Sequence, residues 1–190
     1  MIWNEHSTLK GTHAVMSASQ PYWLFDNDEK FLERVDNFEA AKRGTRLHAY
    51  AAQDILLGEE FGIMRPANGR TYETYVNDAI KYRMQPEQVL YFSDWAYGTA
   101  DAISFRKNML RIHDLKTGKA PAKIEQLYIY AALFCLEYNH KPGNIRMETR
   151  IYQNNEVNVW TPDASDILPI MDLIVKRSEL IRKYLNMEEI

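Results

Sequence analysis

The sequence predicts an α/β domain organised around a small mixed β-sheet. Three observations lead there. From Gln88 to Lys116 the chain breaks into short runs rich in β-branched and aromatic residues, the composition of strands. Before this stretch, and again at the C-terminus, apolar residues recur at helical spacing. Between the strands and the C-terminal helix lies a segment apolar nearly all round, the pattern of a helix covered on several sides. The order is therefore helices, three strands, helix, strand, helix. No repeat, low-complexity tract or Gly/Ser linker interrupts the 190 residues, so a single domain over 1–190 is expected.

Taken in order, Asp28 to Leu57 reads as helix, broken near Gly44, with Leu47, Ala51 and Ile55 on its apolar stripe. Gly58, Gly62, Pro66 and Asn68-Gly69 mark a stop and a loop. A second helix is expected from Thr71 to Arg83, carrying Tyr72, Tyr75, Val76 and Ala79 on one side and closed by Pro86. Strands follow at Gln88 to Trp95, Tyr97 to Phe105 and Leu110 to Lys116, the last two joined by a tight turn at Lys107-Asn108. Pro121 to Tyr138 is the apolar helix and Ile145 to Tyr152 a further strand. Thr161-Pro162-Asp163 offers the cap and first turn of the last helix. Its stripe of Ile167, Ile170, Met171, Ile174, Ile181 and Leu185 is expected to pack on the sheet.

An apolar fraction of 46% and an aromatic fraction of 12% are those of a globular chain. No apolar run reaches the ~18 residues of a membrane span, and His6, Lys10 and His13 lie where a signal peptide would have an apolar core. The cytosol is the expected location. Cys135 is the only cysteine, which excludes an intramolecular disulfide and points to a buried, small apolar residue. A net charge of −3 means that any contact with nucleic acid must use a local basic patch.

The chemistry is concentrated in Gly98-Thr-Ala-Asp101 and Asp114-Leu-Lys116. Residues two apart on a strand project from the same face, so Asp114 and Lys116 point together, away from His113 and Leu115. A hairpin would bring Asp101 beside Asp114. Two such carboxylates repel unless a cation lies between them, and oxygen ligands suit Mg²⁺ or Mn²⁺. The lysine could then orient a water or neutralise developing charge. Taken alone, Asp-x-Lys is also what a solvated strand face looks like. Gly44-Thr-Arg-Leu-His48 adds an imidazole, either a further ligand or a packed helix histidine. Gln126 and Tyr130 share one face of the apolar helix. They are either a satisfied core amide with a packed tyrosine, or a pair that steadies the active-site strand or touches a DNA backbone.

Gly-x-x-x-His, Gly-x-x-Asp, Asp-x-Lys and Gln-x-x-x-Tyr, in this order from His48 to Tyr130, resemble the RecB-like branch of the PD-(D/E)XK nucleases, which includes lambda-type exonucleases. Met16-Ser-Ala-Ser-Gln-Pro-Tyr-Trp23 is similar to the Ser-x-Ser opening of some phage-borne members. The resemblance implies a restriction-endonuclease-like αβββαβ core. It implies Asp101, Asp114, His48 and the Leu115 carbonyl as ligands of Mg²⁺ or Mn²⁺, Lys116 as the catalytic lysine, and Gln126 and Tyr130 as an accessory motif. Lys119 is the basic residue best placed for phosphate; Lys123, Arg65, Arg70, Lys81 and Arg83 are further candidates, and Tyr72, Tyr75 and Tyr82 fit core packing better than base stacking. Ala52 stands where many relatives carry a Glu, and Asp54 receives no role. The iron–sulfur cysteines of some relatives are absent.

The function implied is a metal-dependent deoxyribonuclease, an exonuclease or DNA-end processor in recombination, repair or phage replication. Its partners would be DNA and a recombination or replication protein, in a bacterial or phage-infected cell. A homo-oligomer is allowed, without an interface signature. The rival readings are a catalytically inactive nuclease-fold module that binds DNA or protein, and a structure-specific or RNA-directed endonuclease.

Overall fold

The computed structural model describes residues 7, 12–62, 70–118 and 121–188, with side chains described up to residue 185. The chain divides into two compact units, Met1–Arg46 and Leu47–Ile190. Within the first, Pro21–Phe25 forms a short 3₁₀ helix. Asp26 beside it is paired with Arg34 at 2.7 Å and Lys30 at 3.3 Å. The Trp23 indole N–H donates to the Ser17 carbonyl at 3.1 Å, and the Ser17 and Ser19 hydroxyls lie 2.9 Å apart.

Helix α1 runs Asp28–Leu57 without the break expected at Gly44. A single glycine in thirty residues costs only about 1 kcal/mol against alanine, and its neighbours carry the helix through. Gly58 ends α1 in the left-handed region, φ +70°. The Glu59 N–H then reaches back to the Asp54 carbonyl at 3.1 Å, closing the orphan carbonyls of the last turn. Along α1 the inward positions are His48, Ala51 and Ile55, whereas Leu47 is exposed, contrary to the expected stripe.

The second unit holds five strands, β1 (Gln85–Ser93), β2 (Ala96–Arg106), β3 (Met109–Leu115), β4 (Arg146–Gln153) and β5 (Glu156–Trp160), in the order β1-β2-β3-β4-β5. All neighbours are antiparallel except β3 and β4, which are parallel. Helix α3 (Glu125–Glu137) makes the crossover that parallel pairing requires. This is a mixed α/β arrangement, an open five-stranded sheet flanked by helices.

Two apolar clusters sandwich the sheet. On one face α3 and the first half of α4 (Ala164–Glu188) bury Leu90, Ile103, Leu110, Ile112 and Leu127. On the other, α2 (Arg70–Lys81) and the end of α1 cover Ala102, Leu115 and Tyr152 with Tyr75, Val76, Ala51 and Ile55. Cys135 is free and buried in the first cluster, where desolvation pushes its thiol up to about 11.

Sequence and structure differ at several boundaries. Pro86, expected to close α2, lies inside β1; this is an edge strand, where a missing N–H is tolerated. The last helix begins after Asp163, whose carboxylate caps the Ser165 N–H at 2.7 Å while Asp166 returns a bond to the Asp163 N–H at 3.0 Å. The stripe of α4 packs against α3 and joins the apolar cluster on that face of the sheet, whereas Leu185 is exposed. β5 was not expected at all. Of the three two-residue hairpin turns among the described residues, Lys107-Asn108 and Asn154-Asn155 have positive φ at both positions, the type I′ form, and Asp94-Trp95 does not. Among the described residues no helix is long and apolar enough to cross a membrane.

Candidate functional site

β2 and β3 run as a regular ladder from Arg106↔Met109 to Ala102↔His113, and there the ladder stops. β3 keeps its pairing with β4 through Leu115↔Tyr152, and the Lys116 N–H extends it to the Tyr152 carbonyl at 2.9 Å. Asp101 stands at the parting of the strands. Its Oδ2 accepts the Leu115 N–H at 2.8 Å, so a carboxylate takes over from the backbone rung. Through this divergence Asp101 and Asp114 come close enough to repel.

That repulsion is legible in the groups themselves. Asp114 is 1% exposed, and its carboxyl is held above the usual carboxylate range by burial and then by Asp101, with Lys116 opposing. Lys116 Nζ donates to Asp114 Oδ1 at 2.9 Å. Asp114 Oδ2 also lies 2.9 Å from Nζ, but without hydrogen-bond geometry, and it has no partner among the described residues.

His48, on α1, places Nδ1 3.3 Å from Asp101 Oδ1. The contact with Asp101 raises the imidazole above its ordinary value, against the effect of burial. His48 therefore faces the carboxylates and is not simply packed in the helix bundle.

Gln126 and Tyr130 are hydrogen-bonded to each other, and Gln126 to Lys116 at the end of β3. Gln126 Oε1 accepts from Lys116 Nζ at 2.9 Å, and its amide nitrogen donates to the Tyr130 hydroxyl at 3.0 Å. Gly98 explains the remaining motif position: a Cβ there would stand 2.9 Å from Tyr130 Cε1, closer than real contacts allow. Gly98, Tyr130, Gln126, Lys116 and Asp114 thus form one chain of contacts from β2 across α3 to the end of β3.

Leu115 is buried, and its N–H is tied to Asp101. Asp54 accepts the Tyr72 hydroxyl at 2.6 Å and does not join the cluster. Lys119 and Arg65 lie outside the described residues. Tyr75 is buried, Tyr72 packs edge-on against Phe61, and Tyr82 lies between Arg111 and Arg150, so these rings serve packing.

The residue that the sequence did not single out is Glu87. Ligand atoms of His48, Glu87 and Asp101 all lie within 4.8 Å of one another. The Glu87 carboxyl is raised by burial and by Asp101. Its signal would have been the strand register, which cannot be counted until the β1–β2 turn is known.

The donor set is carboxylate oxygen with one imidazole, which fits a hard or borderline divalent cation such as Mg²⁺ or Mn²⁺. A cleft of about 340 Å³ is lined by Leu47, Thr71, Tyr72, Leu115, Lys116 and Asn155, and by none of His48, Glu87, Asp101 and Asp114. Comparisons with protein-family models, with curated proteins and with solved structures returned no match.

Proposed function

We propose that the protein is a metal-dependent DNA nuclease of the PD-(D/E)XK type, with a restriction-endonuclease-like core, that processes DNA ends in recombination, repair or phage replication. The observation that carries this reading is the divergence of β2 and β3 at Asp101, with Asp114 ion-paired to a lysine two residues on and that lysine held by Gln126. A cation bound by Asp101, Asp114 and His48 would supply Lewis-acid stabilisation of phosphoryl charge and a more acidic water.

The protein's own groups do the positioning. Lys116 has three N–H donors, of which Asp114 and Gln126 take two, leaving one for a phosphate oxygen. Fixing the ammonium before substrate arrives reduces the reorganisation needed as charge develops on phosphate. Tyr130 fixes the Gln126 amide, and Gly98 makes room for Tyr130. A cleft lined in part by Lys116 is the route by which a strand would reach this donor.

The test uses labelled linear and circular DNA, single-stranded and duplex, together with RNA, in Mn²⁺. Wild type should cleave DNA and stop in EDTA, and Asp114→Asn should be inactive while melting as a folded protein. Cleavage by the folded Asp114→Asn variant, or by wild type in excess EDTA, would sink the reading. DNA bound but left intact by wild type would favour a binding module instead.

A further inference from the structure

We propose that Glu87, from β1, is a direct ligand of the divalent cation, completing with His48 and Asp101 one site beside the buried Asp114. The proposal rests on the metal-dependent reading above and adds to it a ligand from a different strand.

The first ground is register. β1 pairs with β2 at Pro86↔Ala102 and again at Gln88↔Ala100, so Glu87 is the residue opposite Asp101. At that point the backbone of Glu87 has φ +49°, a left-handed conformation costly for a non-glycine residue. With that backbone, a Glu87 oxygen, an Asp101 oxygen and a His48 nitrogen lie mutually within 4.8 Å. A point equidistant from three atoms so spaced is about 3 Å from each, and small side-chain rotations bring that to the ~2.0–2.6 Å of cation–oxygen bonds.

The second ground is the buried carboxylate next to it, which is paired with Lys116. Asp114, with a side chain only 2% exposed, keeps Oδ2 without a hydrogen bond among the described residues. Asp101 acts on both Asp114 and Glu87, and the buried Tyr75 hydroxyl is pushed well up by burial and by Asp101, Glu87 and Asp114 together. Glu87, itself exposed, therefore belongs to the same electrostatic neighbourhood as the half-buried Asp101 and the buried Asp114.

Charge gives the third ground. Glu87 and Asp101 act on each other and on His48, and Asp114 is paired with the one ammonium, Lys116. With a neutral imidazole this leaves two negative charges, which one divalent cation cancels. Without Glu87 the loaded site would carry a net positive charge. The stoichiometry that follows is one cation per chain.

The experiment is a Mn²⁺ titration of the full chain by calorimetry and by loss of the free-Mn²⁺ paramagnetic signal, with melting temperatures in EDTA. Wild type should bind one Mn²⁺. Glu87→Gln should weaken it at least tenfold without lowering the melting temperature in EDTA. Glu87→Asn, which accepts left-handed backbone more easily, should do the same if the glutamine variant folds poorly. Glu156→Gln, on the exposed β5, should change nothing. Wild-type Mn²⁺ affinity in either folded Glu87 variant overturns the proposal and leaves the metal-dependent reading standing. Failure of wild type to bind Mn²⁺ overturns that reading, and the proposal with it.

Discussion

Two polar clusters flank the same stretch of β3, and they differ in how their charges are matched. On the α2 face, Arg150 donates to Asp78 at 2.8 Å, Glu148 at 3.0 Å and the Tyr82 hydroxyl at 2.9 Å. Arg111 adds a bond to Glu148 at 3.2 Å, and the Tyr152 hydroxyl donates to Asp78 at 2.7 Å. Two guanidiniums thus meet two carboxylates. At the end of the strand, Asp101, Asp114 and Glu87 have one ammonium and the His48 imidazole among them. Burying polar groups is tolerable when they satisfy one another. The α2-face cluster does so and holds α2 to β3 and β4. The cluster at Asp101 does not, and a site left short of positive charge is suited to take up a cation. The contrast separates a polar cluster whose charges are matched from one whose charges are not, and each of three measurements tests it.

The largest effect should come from Lys116→Ala. If Lys116 serves the chemical step, the single-turnover cleavage rate should fall by about 10²–10³-fold, as when one preorganised charge donor is removed. Mn²⁺ affinity should stay within a few-fold of wild type, since Lys116 is no ligand. An unchanged rate would mean that Lys116 only neutralises Asp114.

Next comes a matched pair of charge removals in metal-free protein. Asp78→Asn strips Arg150 and Tyr152 of their shared anion and should cost about 2 kcal/mol, the usual worth of hydrogen bonds to a charged group. Melting should fall by roughly 4–8 °C for a chain of this size. Asp114→Asn should act the other way. Its folded carboxyl is raised, so near neutral pH the ionised form carries a penalty that the unfolded chain does not. Removing the charge should leave melting unchanged or raise it by roughly 2–4 °C. Two variants with the same sign would erase the distinction between the clusters.

Much of this was legible from sequence because the informative residues sit on regular elements. Asp114 and Lys116 share a strand face, and Gln126 and Tyr130 a helix face, so spacing alone pairs them. The three central strands were visible through their β-branched and aromatic runs. β5 escaped because the residues of Glu-Val-Asn-Val are exposed and alternate for no buried face. Glu87 escaped because it lies next to Pro86, which looks like a helix stop, and reaches the site only through its register with Asp101. The Arg150–Asp78 pair joins residues 72 apart in sequence, beyond the reach of any local pattern.

The smallest effect concerns His113, which is fully buried beneath the Arg150 cluster. The Tyr152 hydroxyl donates to Asp78, so the His113 Nδ1 that it meets at 3.0 Å is best read as the proton-bearing nitrogen. Nε2 is then a bare acceptor, without a partner among the described residues. Protonation would bury an unpaired N–H⁺ near Arg150 and Arg111. Burial first, and those two cations next, hold the imidazole well below its ordinary value of 6.5. Above pH ~6.5 both folded and unfolded chains carry it neutral, and it contributes no slope. As pH falls below that, only the unfolded chain takes the proton, and stability drops by up to ~1.4 kcal/mol per pH unit until the folded value is reached. Melting curves in EDTA for wild type and His113→Gln, taken from pH 7.5 to 5.5, should therefore converge as the solution is acidified. His48 has the opposite sign, since its raised imidazole favours the protonated fold, but it is common to both proteins and cancels in the difference. Parallel curves would mean that His113 takes up its proton in the folded protein, and that the α2-face cluster tolerates more positive charge than its guanidinium–carboxylate balance implies.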